Sequence, residues 1–383
     1  MIAIRKMAIQ KTAMEKITRK PEKESVSIIF YAMFISVFSV VMILANYYIL
    51  HRIASLLAIG APLFYIALAL GFSLPLSLFF EKRAPNIITW IFYTASSIWL
   101  GLTAMLFFFV VSFDIANLFL SMPAYESGLA IIILTIILGT YSIVNAQFIT
   151  IKKVNIPFGK LKTKKAKKAR RFVQLSDIHM GTIRNLSFLM RIVNKTNELK
   201  PDFVVITGDL VDGSAPLRGH MFDALNKISC PVFYVTGNHE FYEGFSYVYD
   251  LLKSTKLRIL DGEMIEYDGI QIIGCGYSMA KNHLKNALEK LKIDDTKPSI
   301  LLYHVPTEIN AAVAKKISLM LSGHTHNGQI FPFNILVKLA FRHAYGLRKY
   351  DDTNVYVSCG TGTWGPPMRL GSRNEITVFE LQG

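Results

Sequence analysis

The chain has 383 residues, of which 52% are hydrophobic, and its mean hydropathy of +0.35 is too high for an ordinary soluble protein. The formal net charge of +15 is concentrated in two short segments, because residues 1–24 contribute +4, residues 152–171 contribute +10 and residues 172–383 contribute only +1. A nucleic-acid-binding domain carries its basic residues on its folded surface, so we expect no nucleic acid partner.

The first 151 residues divide into a basic segment and an apolar region. The basic residues 1–26 are expected to form a cytoplasmic segment, either a helix on the lipid surface or an unstructured tail. Residues 27–151 contain four apolar segments, each longer than the about 20 residues that cross a bilayer. These segments cover residues 27–50, 53–80, 87–113 and 128–149, with a tight turn expected at His51 and Arg52. The pattern predicts a four-helix transmembrane region.

The basic residues also predict the orientation. They flank the N-terminus, the loop between the second and third segments, and the end of the fourth segment, so these three places are expected in the cytoplasm. Residues 152–171 form a polybasic linker that would gain about 1 kcal/mol per basic residue on an anionic leaflet, or serve only to fix the topology. We therefore expect a multi-pass protein of the cell membrane with residues 172–383 in the cytoplasm.

From residue 172 onward, short apolar strands alternate with helical stretches, which is typical of a layered α/β domain. Five of these strands end in residues that can bind metals. The first, in RFVQLSDIHMG, is followed by Asp177 and His179, and the other four are followed by Asp209, by Asn238 and His239, by His304, and by His324 and His326. Because α/β sheets collect their sites at the carboxyl ends of strands, these side chains are expected to converge.

The ordered motifs D-x-H, GD, GNHE, a lone H and GHTH resemble those of the calcineurin-like metallophosphoesterase superfamily over residues 171–383. The closing stretch GTGTWGPPMRLGSRNEI, residues 360–376, is similar to the membrane-associated bacterial and archaeal phosphodiesterase branch. The resemblance implies that residues 172–383 form a two-sheet αββα sandwich. The expected fold class is thus α/β, preceded by the four-helix transmembrane region.

The same resemblance implies a site with two divalent metal ions. It assigns Asp177, His179 and His326 to the first ion, Asp209 to a bridging position, and Asn238, His304 and His324 to the second ion. This mixture of nitrogen and oxygen ligands suits Mn, Fe, Zn or Co and argues against Mg or Ca.

His239 matches the family position that faces the leaving group, where it would protonate the departing oxygen. The alternative is that it only orients its neighbours. Glu240 and Asp212 are either orienting groups of the same kind or residues of solvated loops. His239 is therefore the expected catalytic residue.

Together these features predict a membrane-anchored phosphoesterase that hydrolyses a phosphodiester or pyrophosphate bond on a lipid or nucleotide-lipid headgroup. One alternative is a soluble nucleotide or cyclic-nucleotide phosphodiesterase that is merely anchored. An inactive membrane scaffold is disfavoured because no ligand position is substituted. A transporter is disfavoured because the predicted spans carry no acid or base near their centres.

The expectation of a lipid substrate depends on an apolar stretch that closely follows the last predicted ligands. If residues 334–345 are helical, Asn334, Lys338 and Arg342 form one polar stripe with apolar flanks. Such a helix would cap the domain core or dip into the leaflet, and the apolar residues on both flanks favour the leaflet. Lys338 and Arg342 would then bind an anionic phosphate at headgroup height.

Overall fold

The computed structural model describes residues 24–157 and 170–382. Four long helices come first: α1 (Glu24–Leu56), α2 (Leu63–Arg83), α3 (Ile87–Asn117) and α4 (Ala124–Asn145). Each is long and apolar enough to cross a membrane, with mean hydropathies of 2.1 to 2.2 over the spans. The prediction of four helices of this kind is confirmed, whereas the basic segment 1–26 lies almost wholly outside the described residues.

The prediction of a tight turn at His51 and Arg52 is wrong, because α1 continues through both residues to Leu56. Arg52 is half-buried and pairs with Asp114 of α3, its Nε lying 3.0 Å from Oδ1. Tyr48 donates a further hydrogen bond to the same carboxylate. A charge with a partner of opposite sign on the neighbouring helix does not need to leave the helix for solvent.

The linker boundary also differs from the prediction. Strand β1 (Ile149–Pro157) includes the first residues of the predicted linker and pairs in parallel with the last strand of the chain. It begins four residues after α4 ends, so the helices lead directly into a sheet. The remainder of the linker, residues 158–169, lies outside the described part of the chain.

Within the described residues, twelve strands form two six-stranded sheets. The first sheet has the order β1-β12-β2-β3-β4-β5 and the second has the order β10-β11-β9-β8-β7-β6. After β1 the strands are β2 (Arg170–Leu175), β3 (Phe203–Thr207), β4 (Val232–Val235), β5 (Arg258–Ile259), β6 (Glu263–Tyr267), β7 (Ile270–Cys275), β8 (Ser299–Tyr303), β9 (Leu319–Ser322), β10 (Gly346–Tyr350), β11 (Thr353–Val357) and β12 (Asn374–Gln382). Parallel pairing of β2, β3 and β4, and of β7, β8 and β9, brings their carboxyl ends to one edge of each sheet.

The sheets pack face to face through an apolar layer. At its centre the ring of Phe172 stacks between those of Phe203 and Phe379, with centroids 4.9 Å and 4.7 Å apart. Helices cover the outer faces: α5 (Leu186–Glu198) and α7 (Phe245–Leu252) for the first sheet, and α8 (His283–Glu289) and α9 (Ile309–Ala314) for the second. The short helix α6 (Asn238–Glu243) follows β4 at the carboxyl edge of the first sheet. The predicted αββα sandwich is confirmed.

The apolar helix after the last predicted ligands is shorter than expected. Helix α10 (Phe333–Ala340) ends before Arg342, which lies beyond the helix with its guanidinium 5.0 Å from the ring centre of Tyr350. Asn334 is buried and donates to the backbone carbonyl of Asn327 at 2.7 Å. The predicted polar stripe is therefore wrong: Asn334 points inward, Arg342 is off the helix, and Lys338 alone of the three is an exposed residue of α10.

Candidate metal centre

The structure brings all eight predicted metal-centre residues together at the facing carboxyl ends of the two sheets. Asp177 and His179 follow β2, Asp209 follows β3, and Asn238 and His239 follow β4 at the start of α6. The second sheet supplies the other three, His304 after β8 and His324 and His326 after β9. Three overlapping groups of these residues have ligand atoms within 4.8 Å of one another.

Asp177, His179 and His326 form one half of the centre. The Nε2 atoms of the two histidines lie 3.0 Å apart, and His326 Nε2 lies 3.5 Å from Asp177 Oδ1. All three side chains are buried. Two ring nitrogens and a carboxylate oxygen therefore point at one small volume, which is the geometry a metal ion requires.

Asn238, His304 and His324 form the other half. His304 Nε2 lies 3.1 Å from Asn238 Oδ1, and the rings of His304 and His324 are 5.1 Å apart. Asp209 stands between the halves, with Oδ2 3.2 Å from His304 Nε2 and 3.9 Å from His179 Nε2. A carboxylate in this position can be shared by two metal ions.

The charges of the site fit cations. Burial lowers the pKa of both His179 and His326 well below the usual range, so their rings are neutral and their nitrogens are free to bind metal. His304 is equally buried, and burial lowers its pKa, but the carboxylates of Asp209 and Asp177 and the carbonyl of Thr207 together outweigh burial and raise the pKa of His304 to about 10. The buried carboxylates therefore need a compensating positive charge, which divalent metal ions would supply.

The backbone of the site adopts a conformation that most residues avoid. Positive φ angles occur at five of the predicted ligands, between 49° and 70°: Asp177, His179, Asp209, His324 and His326. Each such residue costs on the order of 1–3 kcal/mol and persists only where its surroundings enforce it. Their concentration at this edge indicates a functional site.

Glycines next to the ligands allow the strand ends to approach each other. A Cβ at Gly237 would lie 2.2 Å from Asp209 Oδ1, and one at Gly323 would lie 2.1 Å from Asp177 Oδ2. Any side chain at these two positions would displace a carboxylate. Glycine therefore precedes these two ligands because the strand ends pack too closely for a side chain there.

Glu240 orients the Asp209 loop and is not a solvated loop residue. It is fully buried, and its carboxylate accepts the backbone N–H groups of Asp209 at 3.0 Å, Leu210 at 2.7 Å and Gly237 at 2.6 Å. These bonds join the loops after β3 and β4, so they fix the spacing between Asp209 and Asn238.

His239 lies at the edge of the centre on the His179 side, with the two ring centres 4.8 Å apart. Its Nδ1 lies 3.1 Å from the backbone carbonyl of Asp212, which can only accept, so Nδ1 carries a proton. The centre of its ring also lies 5.8 Å from that of Trp364, and the side chain of Trp364 is 55% exposed. The other ring nitrogen is therefore available for proton transfer at the mouth of the site.

Arg369 adjoins the predicted ligands, although no sequence motif assigned it a role. It is fully buried, and its guanidinium lies 3.0 Å from the carbonyl and 3.2 Å from Nδ1 of His326. Its backbone N–H donates to Ser142 of α4 at 2.8 Å. The available signal was that Arg369 is the one charged residue in the run from Gly360 to Leu370.

The four long helices α1 to α4, here called the bundle, pack directly against the loops around the metal centre. A Cβ at Gly101 of α3 would lie 2.5 Å from Met368 Sδ, and the ring of Phe108 lies 4.8 Å from that of Phe331. Phe331 precedes α10, and Phe341 after α10 has its ring 5.8 Å from that of His324. The segment that contains α10 therefore connects the bundle to the centre.

Comparison with known proteins agrees with this geometry. Residues 170–328 match the family model described as calcineurin-like phosphoesterase. An uncharacterized metallophosphoesterase of Campylobacter jejuni is 32% identical over 364 residues, covering 89% of this chain and 96% of that protein. One of Helicobacter pylori is 37% identical over 227 residues, covering 57% of this chain and 61% of that protein.

A relative from Danio rerio, named transmembrane protein with metallophosphoesterase domain, is 36% identical over 280 residues and covers 68% of this chain and 63% of its own length. The Campylobacter match covers most of the helix bundle as well as the sandwich. The chain, in which four membrane-type helices precede the phosphoesterase domain, therefore belongs to the calcineurin-like metallophosphoesterase family.

Proposed function

We propose that the chain is a membrane-anchored phosphoesterase with two metal ions that hydrolyses a phosphodiester or pyrophosphate bond on a lipid-linked substrate. The observation that supports this most is the continuous apolar connection between the bundle and the metal centre through α10. Apolar residues beside the ligands suit a substrate that is held in the membrane.

One metal ion would be held by Asp177, His179 and His326. The other would be held by Asn238, His304 and His324, and Asp209 would bind both ions. Two such ions, of Mn, Fe, Zn or Co, acidify a water nucleophile and neutralise the charge that develops on the phosphoryl oxygens. Glu240 keeps Asp209 between the halves, and Arg369 holds His326 in place. In its imidazolium form His239 would donate the Nε2 proton to the leaving oxygen while Nδ1–H stays on the Asp212 carbonyl, a step that typically contributes 10²–10⁴-fold.

The depth of α10 relative to the bundle supports contact with the leaflet. Ile330 packs against Met105 of α3, in a cluster that also includes Leu138 of α4. Leu138 lies seven residues before the end of α4 at Asn145, which corresponds to about 10 Å along the helix axis. The same cluster includes Ile143, two residues before that end, so the chain entering α10 lies level with the last turns of α4, where the apolar bundle meets the sandwich.

The surface of α10 has the composition of an interfacial helix. Ile335, Leu336 and Leu339 are 48%, 56% and 80% exposed, and water would solvate them poorly. Lys338 is exposed on the same helix, and Arg342 follows it. We propose that the apolar residues enter an anionic leaflet while the two cations meet the phosphate of a lipid or nucleotide-lipid headgroup.

The proposed orientation places the sandwich in the cytoplasm of a cell-membrane protein, as the distribution of basic residues favours. Inverted membrane vesicles should then hydrolyse an added soluble diester, whereas sealed vesicles of the native orientation should not. The same assay identifies the side on which the metal centre opens.

The substrate class is tested with the purified full chain in anionic vesicles, using a bilayer-embedded lipid phosphodiester and a short soluble diester. Lys338→Glu with Arg342→Glu should lower kcat/KM about tenfold or more on the embedded substrate, since it reverses the charge at headgroup height, and less than threefold on the soluble one. Lys253→Glu, on the surface of the sandwich, is the matched control. Equal losses on both substrates, or none, would remove the support for a lipid-linked substrate.

A further inference from the structure

Two residues of the bundle contact the segments that surround His239. The first is Lys82 near the end of α2, whose Nζ lies 3.0 Å from Oε1 of Glu243. Glu243 is the last residue of α6, the short helix that begins with Asn238 and His239. This ion pair ties the far end of the His239 helix to the bundle.

The second point is Tyr93 of α3, which is 6% exposed and contacts Ser214. Ser214 Oγ donates to Asp212 Oδ1 at 2.6 Å and accepts the backbone N–H of Thr182 at 2.9 Å. The backbone carbonyl of Asp212 in turn accepts the Nδ1 proton of His239. One chain of contacts therefore runs from a bundle helix to the imidazole.

The two points act on the same small region. Gly213, between Asp212 and Ser214, has a φ of 80°, and a Cβ there would lie 2.6 Å from Glu243 Oε1. The loop that orients His239 thus packs against the end of the helix that carries it. Each is held from outside by a different bundle residue, Tyr93 or Lys82.

We propose that Tyr93 and Lys82 are positioning residues for His239, so that the four-helix region completes the active site as well as anchoring it. The inference rests on the proposed function, in which His239 protonates the leaving group. Proton transfer requires the donor within hydrogen-bonding reach of that oxygen, and a small displacement of the imidazole weakens it steeply.

The test compares kcat of the purified full chain on two soluble diesters, one with an alkyl leaving group and one with an aryl leaving group. Tyr93→Phe removes one hydroxyl and keeps the ring, and Lys82→Met keeps the aliphatic stem. Each should lower kcat about tenfold on the alkyl ester, which needs protonation, and less than threefold on the aryl ester. Tyr65→Phe on the exposed face of α2 and Lys253→Met on the sandwich are matched controls and should change neither rate.

A mutant cycle with His239→Ala separates positioning from general stability. In that background Tyr93→Phe should cause no further loss on the alkyl ester, because the group it positions is gone. A full second loss, or equal losses of the single variant on both esters, would overturn the inference.

Hydrogen–deuterium exchange provides a readout that does not depend on activity. In the full chain, Tyr93→Phe should speed amide exchange in the loop 211–214 and in α6, and leave β2 and β3 unchanged. Unchanged exchange in that loop would refute the positioning role even in an active enzyme. A wild-type chain with no hydrolytic activity but with this exchange response would instead refute the proposed function and leave the bundle contacts standing.

Discussion

The two halves of the metal centre have different surroundings. The bundle half, Asp177, His179 and His326, is enclosed by protein and backed by Arg369, whose backbone is bonded to α4. In the lip half, Asn238, His304 and His324, the ring of His324 borders Phe341 and a cavity of about 370 Å³ that Tyr277 and Tyr303 also line. The difference is that Arg369 and α4 support the bundle half, whereas the lip half adjoins open space at His324.

The electrostatics divide in the same way. In the bundle half, burial lowers the pKa values of His179 and His326, and the nearby guanidinium of Arg369 also lowers that of His326. In the lip half, Asp209 raises the pKa of His304 to about 10 despite its burial. Asp209 is therefore the residue on which both halves depend, and changes to it should have the largest effect.

Asp209→Asn should reduce activity to near background. Without the bridging charge, two cations in the halves would repel each other and one would leave. We expect about one metal ion per chain by elemental analysis of the purified variant, against two in the wild type. A variant that keeps both ions and substantial turnover would contradict the assignment of Asp209.

Arg369→Met should affect the bundle half selectively. Loss of the guanidinium frees His326, and loss of such an outer contact typically weakens metal affinity about 10–100-fold. Titration with Mn²⁺ should show one weakened site and one unchanged site. The result also tests whether the halves are independent.

Arg184→Met is the matched control for that experiment. Arg184 is likewise buried beside the bundle, where it donates to Thr363 Oγ1 at 3.0 Å and to the carbonyl of Ala146 at 2.9 Å, but no predicted ligand is among its hydrogen-bond partners. Both variants lose a buried guanidinium, so both should be less stable. If Arg184→Met weakened metal binding as much as Arg369→Met, the proposed role of Arg369 would be only general packing.

The sequence predicted the parts of the structure that depend on local patterns. Apolar strands that end in Asp, Asn or His specified the centre, because parallel strands must bring their carboxyl ends to one edge. The lengths of the apolar segments predicted four helices, since crossing a bilayer sets a minimum length. Both kinds of signal are contained within a few consecutive residues.

The features that were missed depend on contacts between distant parts of the chain. Arg52 stays inside α1 because Asp114 neutralises it from another helix. Arg369 acquires its role only where β9, the closing loop and α4 meet. Helix α10 ends at Ala340 because Phe341 adopts an extended backbone, and Asn334 is turned inward to bond Asn327; the helical period alone revealed neither.

The central claim is that Asp209 joins two metal ions in one centre. It is tested most directly by electron paramagnetic resonance of the full chain loaded with Mn²⁺. The account predicts two ions per chain with the spectrum of a coupled pair about 3.5–4 Å apart. One ion per chain at saturating Mn²⁺, or two ions with uncoupled spectra, would contradict it.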